Sequence, residues 1–199
     1  QVIDNQGRLP LHLANPKNAE IYKCLIQAYP EALMIPNAAQ DDSLALHIAL
    51  RQGASSELVF YIGSNAPAAV KVADAQGRLP LQFAKPSDSE IYEYLINTWP
   101  ESLALPNTDG SLPLHVALMM LMVDGGDDDG DDDDDDGSVA ALVQMMVCKA
   151  PDTVKVKDSQ GRLPLALAYR AKKEVYECLV DAWPQGLKIP NEHGSLALH

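Results

Sequence analysis

The stretch Asp4-Asn5-Gln6-Gly7-Arg8-Leu9-Pro10-Leu11 decides how this chain is read, because it returns twice. It recurs as Asp74-Ala75-Gln76-Gly77-Arg78-Leu79-Pro80-Leu81 and as Asp158-Ser159-Gln160-Gly161-Arg162-Leu163-Pro164-Leu165, at offsets of 70 and 84 residues. A second kind of unit lies between these copies. It opens at Pro36-Asn37, Pro106-Asn107 and Pro190-Asn191 and continues as Ser43-Leu44-Ala45-Leu46-His47, Ser111-Leu112-Pro113-Leu114-His115 and Ser195-Leu196-Ala197-Leu198-His199. Unit starts therefore fall at 4, 37, 74, 107, 158 and 191. Steps of 33 and 37 residues alternate, with one step of 51. A fixed period of this size is the signature of stacked repeats.

Each unit reads as a turn followed by two helices. Asp can accept from the backbone ahead of it, and Gly supplies a positive φ, so Asp-x-x-Gly is a turn. Leu-Pro-Leu then opens a helix with Pro where its missing N–H costs nothing. Asn18 and Asp88 are expected to cap the second helix. That helix carries apolar residues at i, i+3, i+4 and i+7: Ile21, Cys24, Leu25 and Ala28 in the first unit. Pro30, Pro67, Pro100, Pro151 and Pro184 follow the second helices and are expected to start an extended return.

Leu9-Pro10-Leu11-His12-Leu13-Ala14 and Leu112-Pro113-Leu114-His115-Val116-Ala117 resemble the T-P-L-H-x-A signature of the ankyrin-repeat family. Leu replaces the signature Thr throughout, and Gln82 and Ala166 replace the His in the third and fifth units. The resemblance spans nearly the whole chain. It implies an all-α, ankyrin-like solenoid over residues 1–199, with five complete helix pairs and a sixth unit cut after its signature. It also implies a protein–protein interaction module that binds through its turn tips and inner helix face, with another protein as partner. Gln6, Arg8, Gln76, Arg78, Gln160 and Arg162 occupy those tips. Arginines two layers apart would sit ~16–20 Å from one another, beyond the ~8 Å Debye length, so they would act as separate contacts. The alternative is a regulatory or spacer region attached to a catalytic or membrane domain.

Net charge is −13, from 28 acidic and 15 basic residues, but ten of the acids are Asp between Asp124 and Asp136. The remainder is nearly neutral, and no nucleic-acid or membrane partner is expected. Residues 123–138, VDGGDDDGDDDDDDGS, account for the long step and interrupt the link between the helices of the fourth unit. Like charges ~3.4 Å apart with nothing apolar to bury predict disorder. The insertion reads as a solvated loop or as a contact for a basic partner through Asp131, Asp132, Asp133, Asp134, Asp135 and Asp136. Asp132, Asp134, Asp136 and Gly137 match half of an EF-hand loop, but Val143 stands where its bidentate Glu must be.

His12, His47, His115 and His199 are explained as signature residues, and His193 has no partner at metal-ligand spacing. No phosphate loop, nucleophile elbow or zinc-protease motif is present, so neither an enzyme nor a cofactor or metal site is expected. Recurring Tyr22, Tyr92, Tyr176, Trp99 and Trp183 read as packing between units. Cys24, Cys148 and Cys178 are widely spaced and fall in apolar runs, so buried free thiols are expected, and with them an intracellular, cytoplasmic location. The chain lacks an initiating Met and opens partway through a pattern, so it is read as a monomeric segment of a longer protein.

Overall fold

The computed structural model describes residues 3–85, 88–123, 136–168, 171 and 173–189, and the side chains of these except 120–123 and 136–139. It is mostly helical. Among the described residues the only bridge outside helices is an isolated antiparallel pair, Asn37 with Ser43. The chain divides into two compact bodies, Gln1–Ser102 and Leu103–His199.

In the first body, α1 (Pro10–Leu13) and α2 (Ala19–Ala28) form one pair, and α3 (Ala45–Arg51) and α4 (Ser56–Asn65) the next. A short 3-10 helix at Pro80–Phe83 and α5 (Ser89–Thr98) form the third. First helices pack on first helices, α1 on α3 and α3 on Pro80–Phe83, while second helices pack on second, α2 on α4 and α4 on α5. The second body has the same internal plan. Here α6 (Pro113–Val123) packs on α8 (Pro164–Leu167), and α7 (Asp136–Lys149) on α9 (Lys173–Ala182). A helix of four residues cannot persist alone, so these short first helices depend on the neighbours that bury Leu11 and Leu165.

At helix starts the local chemistry follows the sequence except that Asp88, at the N-cap position of α5, makes no side-chain cap bond. Pro10, Pro80 and Pro164 occupy the first helical turn. Asn18 caps α2 by accepting from the Ile21 N–H at 3.3 Å. The prolines after the second helices behave differently from the expected extended return. Pro30, Pro67, Pro100, Pro151 and Pro184 each begin a five-residue 3-10 turn. The fixed φ of proline suits the first position of a 3-10 helix, where no N–H is required.

The helix α2 stripe also needs correction. Tyr22 and Ile26 are buried, whereas Ile21, Cys24 and Ala28 are exposed. Tyr22 faces the following pair, its hydroxyl 3.4 Å from the Ala45 carbonyl. In α5, which has a neighbour on its preceding side, Ile91, Tyr92, Leu95 and Ile96 are all buried. The expectation of buried thiols fails with the stripe: Cys24 and Cys148 are exposed and Cys178 is half-buried. In α7 the buried positions are Leu142, Val143, Met146 and Val147, and Cys148 lies just off that face.

The insertion is bounded more tightly than 123–138. Val123 is the last residue of α6, and Asp136, Gly137 and Ser138 open α7. An acidic residue in a first helical turn is favoured by the helix dipole. Residues 124–135, including Asp131, Asp132, Asp133, Asp134 and Asp135, lie outside the described residues, as do His193 and His199.

Candidate functional site

The turn tips are built around one side chain. Oδ1 of Asp4 accepts the N–H groups of Gln6 and Arg8, both at 2.9 Å. Oδ2 accepts Arg8 Nε at 2.7 Å and pairs with its Nη2 at 2.7 Å. The backbone closes the same loop: Asp4 N–H donates to the Arg8 carbonyl, and Gly7 N–H, at φ 74°, to the Asp4 carbonyl. Asp74 and Asp158 repeat every bond, the first with Gln76 and Arg78, the second with Gln160 and Arg162. A carboxylate that accepts two backbone donors and a guanidinium is stabilised in its charged form. Asp4 is accordingly held below the usual carboxylate range, chiefly by the Arg8 N–H. Burial pushes Asp74 and Asp158 upward, but their arginines and turn N–H groups outweigh it and the net shift is downward.

The arginines are therefore parts of the turn, not side chains projecting from it. Each remains about one-third exposed, at 32%, 32% and 35%. Arg78 is held most fully. Its Nη2 donates to Gln76 Oε1 at 2.8 Å, lies 3.7 Å from Asp41 Oδ2, and its guanidinium stacks 4.7 Å from the Phe83 ring centre. Gln76 also donates to Asp41 Oδ1 at 3.2 Å. Arg162 reaches Met119 Sδ at 3.6 Å. Gln6 and Gln160 are exposed.

Neighbouring tips are tied through the backbone. Ala75 N–H donates to the Asp41 carbonyl at 2.8 Å, and Ser159 N–H to the Asp109 carbonyl at 3.1 Å. Asp41 and Asp42 take left-handed φ values of 56° and 53°. The sequence reading did not single them out, although Asp is among the few non-glycine residues that enter this region readily.

Behind the tips, the signature histidines act as caps. Nδ1 of His12, His47 and His115 accepts the N–H of Leu9, Leu44 and Leu112 at 3.2, 3.1 and 3.1 Å. Gln82 does the same for Leu79 with Oε1, at 2.9 Å. Because Nδ1 must accept, the neutral ring is required. Burial lowers all three histidines, His47 to about 4. No three His, Cys, Asp or Glu side chains come together to hold a metal ion among the described residues. No helix among them is long and apolar enough to cross a membrane. No family model matches the chain, and no curated protein matches it.

Proposed function

We propose that the chain is an ankyrin-like repeat array that serves as a protein–protein interaction module, with the turn tips as its contact points. The carrying observation is that three tips share one fixed frame while their outermost residues differ. Asp, Gly and Arg set the frame, and Asn5, Ala75 and Ser159 stand at its exposed second position. A loop held by its own hydrogen bonds loses little freedom on binding, which is the main benefit of preorganisation. Gln6 and Gln160 offer exposed amides beside guanidiniums that keep a third of their surface. In this reading the arginines shape the tip first and touch the partner second.

The test avoids the frame. Gln6→Ala and Gln160→Ala, combined, should leave the melting temperature unchanged and lower crosslinked partner recovery at least ~10-fold, if each lost contact is worth about 1 kcal/mol or more. Recovery equal to that of the unaltered chain would leave the array a spacer.

A further inference from the structure

The groove between α4 and α5 in the first body is walled by aromatic rings and edged by carboxylates. Phe60, Glu90, Glu93, Tyr94, Asn97 and Thr98 line about 500 Å³. The ring centres of Phe60 and Tyr94 lie 4.9 Å apart, with the planes inclined at 51°. Gly63 lets the Tyr94 ring lie against α4, because a Cβ there would overlap it. Both rings are half-buried, and Glu90 and Glu93 are exposed neighbours on one face of α5. Neither carboxylate has an ion-pair partner among the described residues.

The two equivalent helices show what such an arrangement takes. In α2, at the 70-residue offset, Glu20 stands for Glu90 and Lys23 for Glu93. Lys23 Nζ pairs with Glu57, lies 3.7 Å from Glu20 Oε1 and sits 5.8 Å from the Tyr61 ring centre. The seam between α2 and α4 therefore holds an ammonium among carboxylates and an aromatic face, with the lysine side chain only 18% exposed. In α9, at the 84-residue offset, Glu174 and Glu177 keep the acids. There Cys178 replaces Tyr94, and Lys173 lies 3.6 Å from Glu177. Of the three, the α4–α5 groove is the one that combines paired acids with paired rings and, among the described residues, supplies no cation of its own.

We infer that the α4–α5 groove binds a lysine side chain of another protein, its ammonium beside Glu90 and Glu93 and its stem along Phe60 and Tyr94. An aromatic face attracts a cation through its quadrupole, and a lysine stem covers apolar surface while its head stays with polar groups. The Lys23 seat shows that this fold already holds an ammonium with the same kinds of side chain. The groove lies on the second helices and uses none of the turn residues, so its failure and the failure of the Gln6 and Gln160 test are separate results.

The probe is N-acetyl-lysine N-methylamide, which carries the ammonium and no other charge, titrated into the full chain and followed by amide chemical shifts. Its norleucine counterpart, which lacks the ammonium, is the control. Saturable shifts are expected in α5 and around Phe60 with the lysine probe and not with the control. Glu90→Gln combined with Glu93→Gln should weaken binding at least ~10-fold, and Phe60→Leu about 3-fold. Glu93→Lys copies the arrangement of α2 and should abolish the response, because the groove then carries its own cation. The glutamates are exposed, so these variants leave the packing of α5 intact. Shifts confined to the Asp-rich residues 124–135 overturn the inference, as do shifts in α5 that none of the variants reduces. An equal response to the norleucine probe overturns it too, because the groove would then select apolar bulk and not charge.

Discussion

The turn at Asp74–Arg78 and the turn at Asn107–Ser111 have one backbone. In each, the first residue's N–H donates to the last residue's carbonyl at 3.0 Å, and a glycine near φ 67–68° closes the loop at 2.9 Å. In each, a single side-chain oxygen accepts two N–H groups: Asp74 Oδ1 from Gln76 and Arg78, Asn107 Oδ1 from Asp109 and Ser111. What differs is the second atom. Asp74 turns Oδ2 to Arg78, while the residue at the arginine's place in the other turn is Ser111. The shape of the tip therefore needs one acceptor and one left-handed residue, and the charge is an addition to it. In the Asn107 turn the acceptor is a neutral amide, and in the Gln-Gly-Arg units it is a carboxylate clasped by arginine.

The largest separation between them should come from Asp74→Ala and Asn107→Ala. Both strip two N–H groups of their acceptor, and only the first also leaves a half-buried guanidinium without its nearest partner. A cost of about 3 kcal/mol is expected for Asp74→Ala and about 2 kcal/mol for Asn107→Ala, read as shifts in the urea midpoint. Asp74→Asn keeps the Oδ1 acceptor and removes only the clasp, so about 1 kcal/mol should be lost. If Asp74→Asn costs as much as Asp74→Ala, the shared-backbone account fails.

Acid separates the same two turns, provided the histidines are silenced first. His47 is lowered from an unfolded value near 6.5 to about 4. Between these values the unfolded chain binds more protons than the folded one, so stability is full above 6.5 and falls as pH drops toward 4. The loss between pH 7 and pH 5 should be about 2 kcal/mol. His47→Gln should remove its share of that slope and leave that of His12 and His115, because Gln82 already performs the same cap in the third unit. The clasps respond later. Asp4, Asp74 and Asp158 are all lowered, so their contribution persists above the ordinary carboxylate range and disappears only as pH falls through the depressed values. A chain carrying Asp74→Asn should lose less than the parent in that lowest window, measured by circular dichroism.

Much of this was readable from residue types. The turn came from Asp-x-x-Gly, the short first helices from Leu-Pro-Leu, and the cap of α2 from Asn18, because each is a local bond between residues close in the chain. What sequence could not resolve depended on neighbours. Periodicity marked Ile21, Cys24 and Ala28 as core, but a stripe says only which residues share a face, not whether anything covers it. The same limit hid the thiols' exposure. The arginines read as separate contacts at the tips, since a recurring cation there looks the same whether or not it also bonds back to its own turn. The clue was present in Asp4 and Arg8 standing four apart around a glycine. Nothing local announced that the turn of the second unit, with two residues more than that of the fourth, would put Asp41 against Arg78.

Glycine positions give a smaller and more local contrast. Gly7 has φ 74° and open space where a Cβ would stand, whereas a Cβ on Gly110, at φ 67°, would sit 2.9 Å from the Ser159 backbone nitrogen. Gly7→Ala meets only the left-handed penalty, about 1 kcal/mol. Gly110→Ala adds a clash with backbone that cannot move aside without breaking the Ser159 bond to Asp109. About 2 kcal/mol is expected there, and equal effects at the two sites would remove the contact from the argument.

The smallest effect should carry the opposite sign. The second unit meets the same requirement for left-handed backbone with Asp41 and Asp42 rather than glycine. Asp41 is held in compensation by Gln76, Arg78 and its carbonyl's bond to Ala75. Asp42 is exposed, and no such set of contacts holds it among the described residues. Glycine at 42 removes a left-handed cost of about 1 kcal/mol but gives the unfolded chain more freedom, which returns about half of it. Asp42→Gly should therefore stabilise by a few tenths of a kcal/mol, and Asp41→Gly should not, since the Arg78 contact is lost with it. The pair distinguishes strain that serves a tip-to-tip contact from strain that merely accompanies the longer loop: a gain at 42 matched by a gain at 41 would mean that Asp41 does nothing for Arg78.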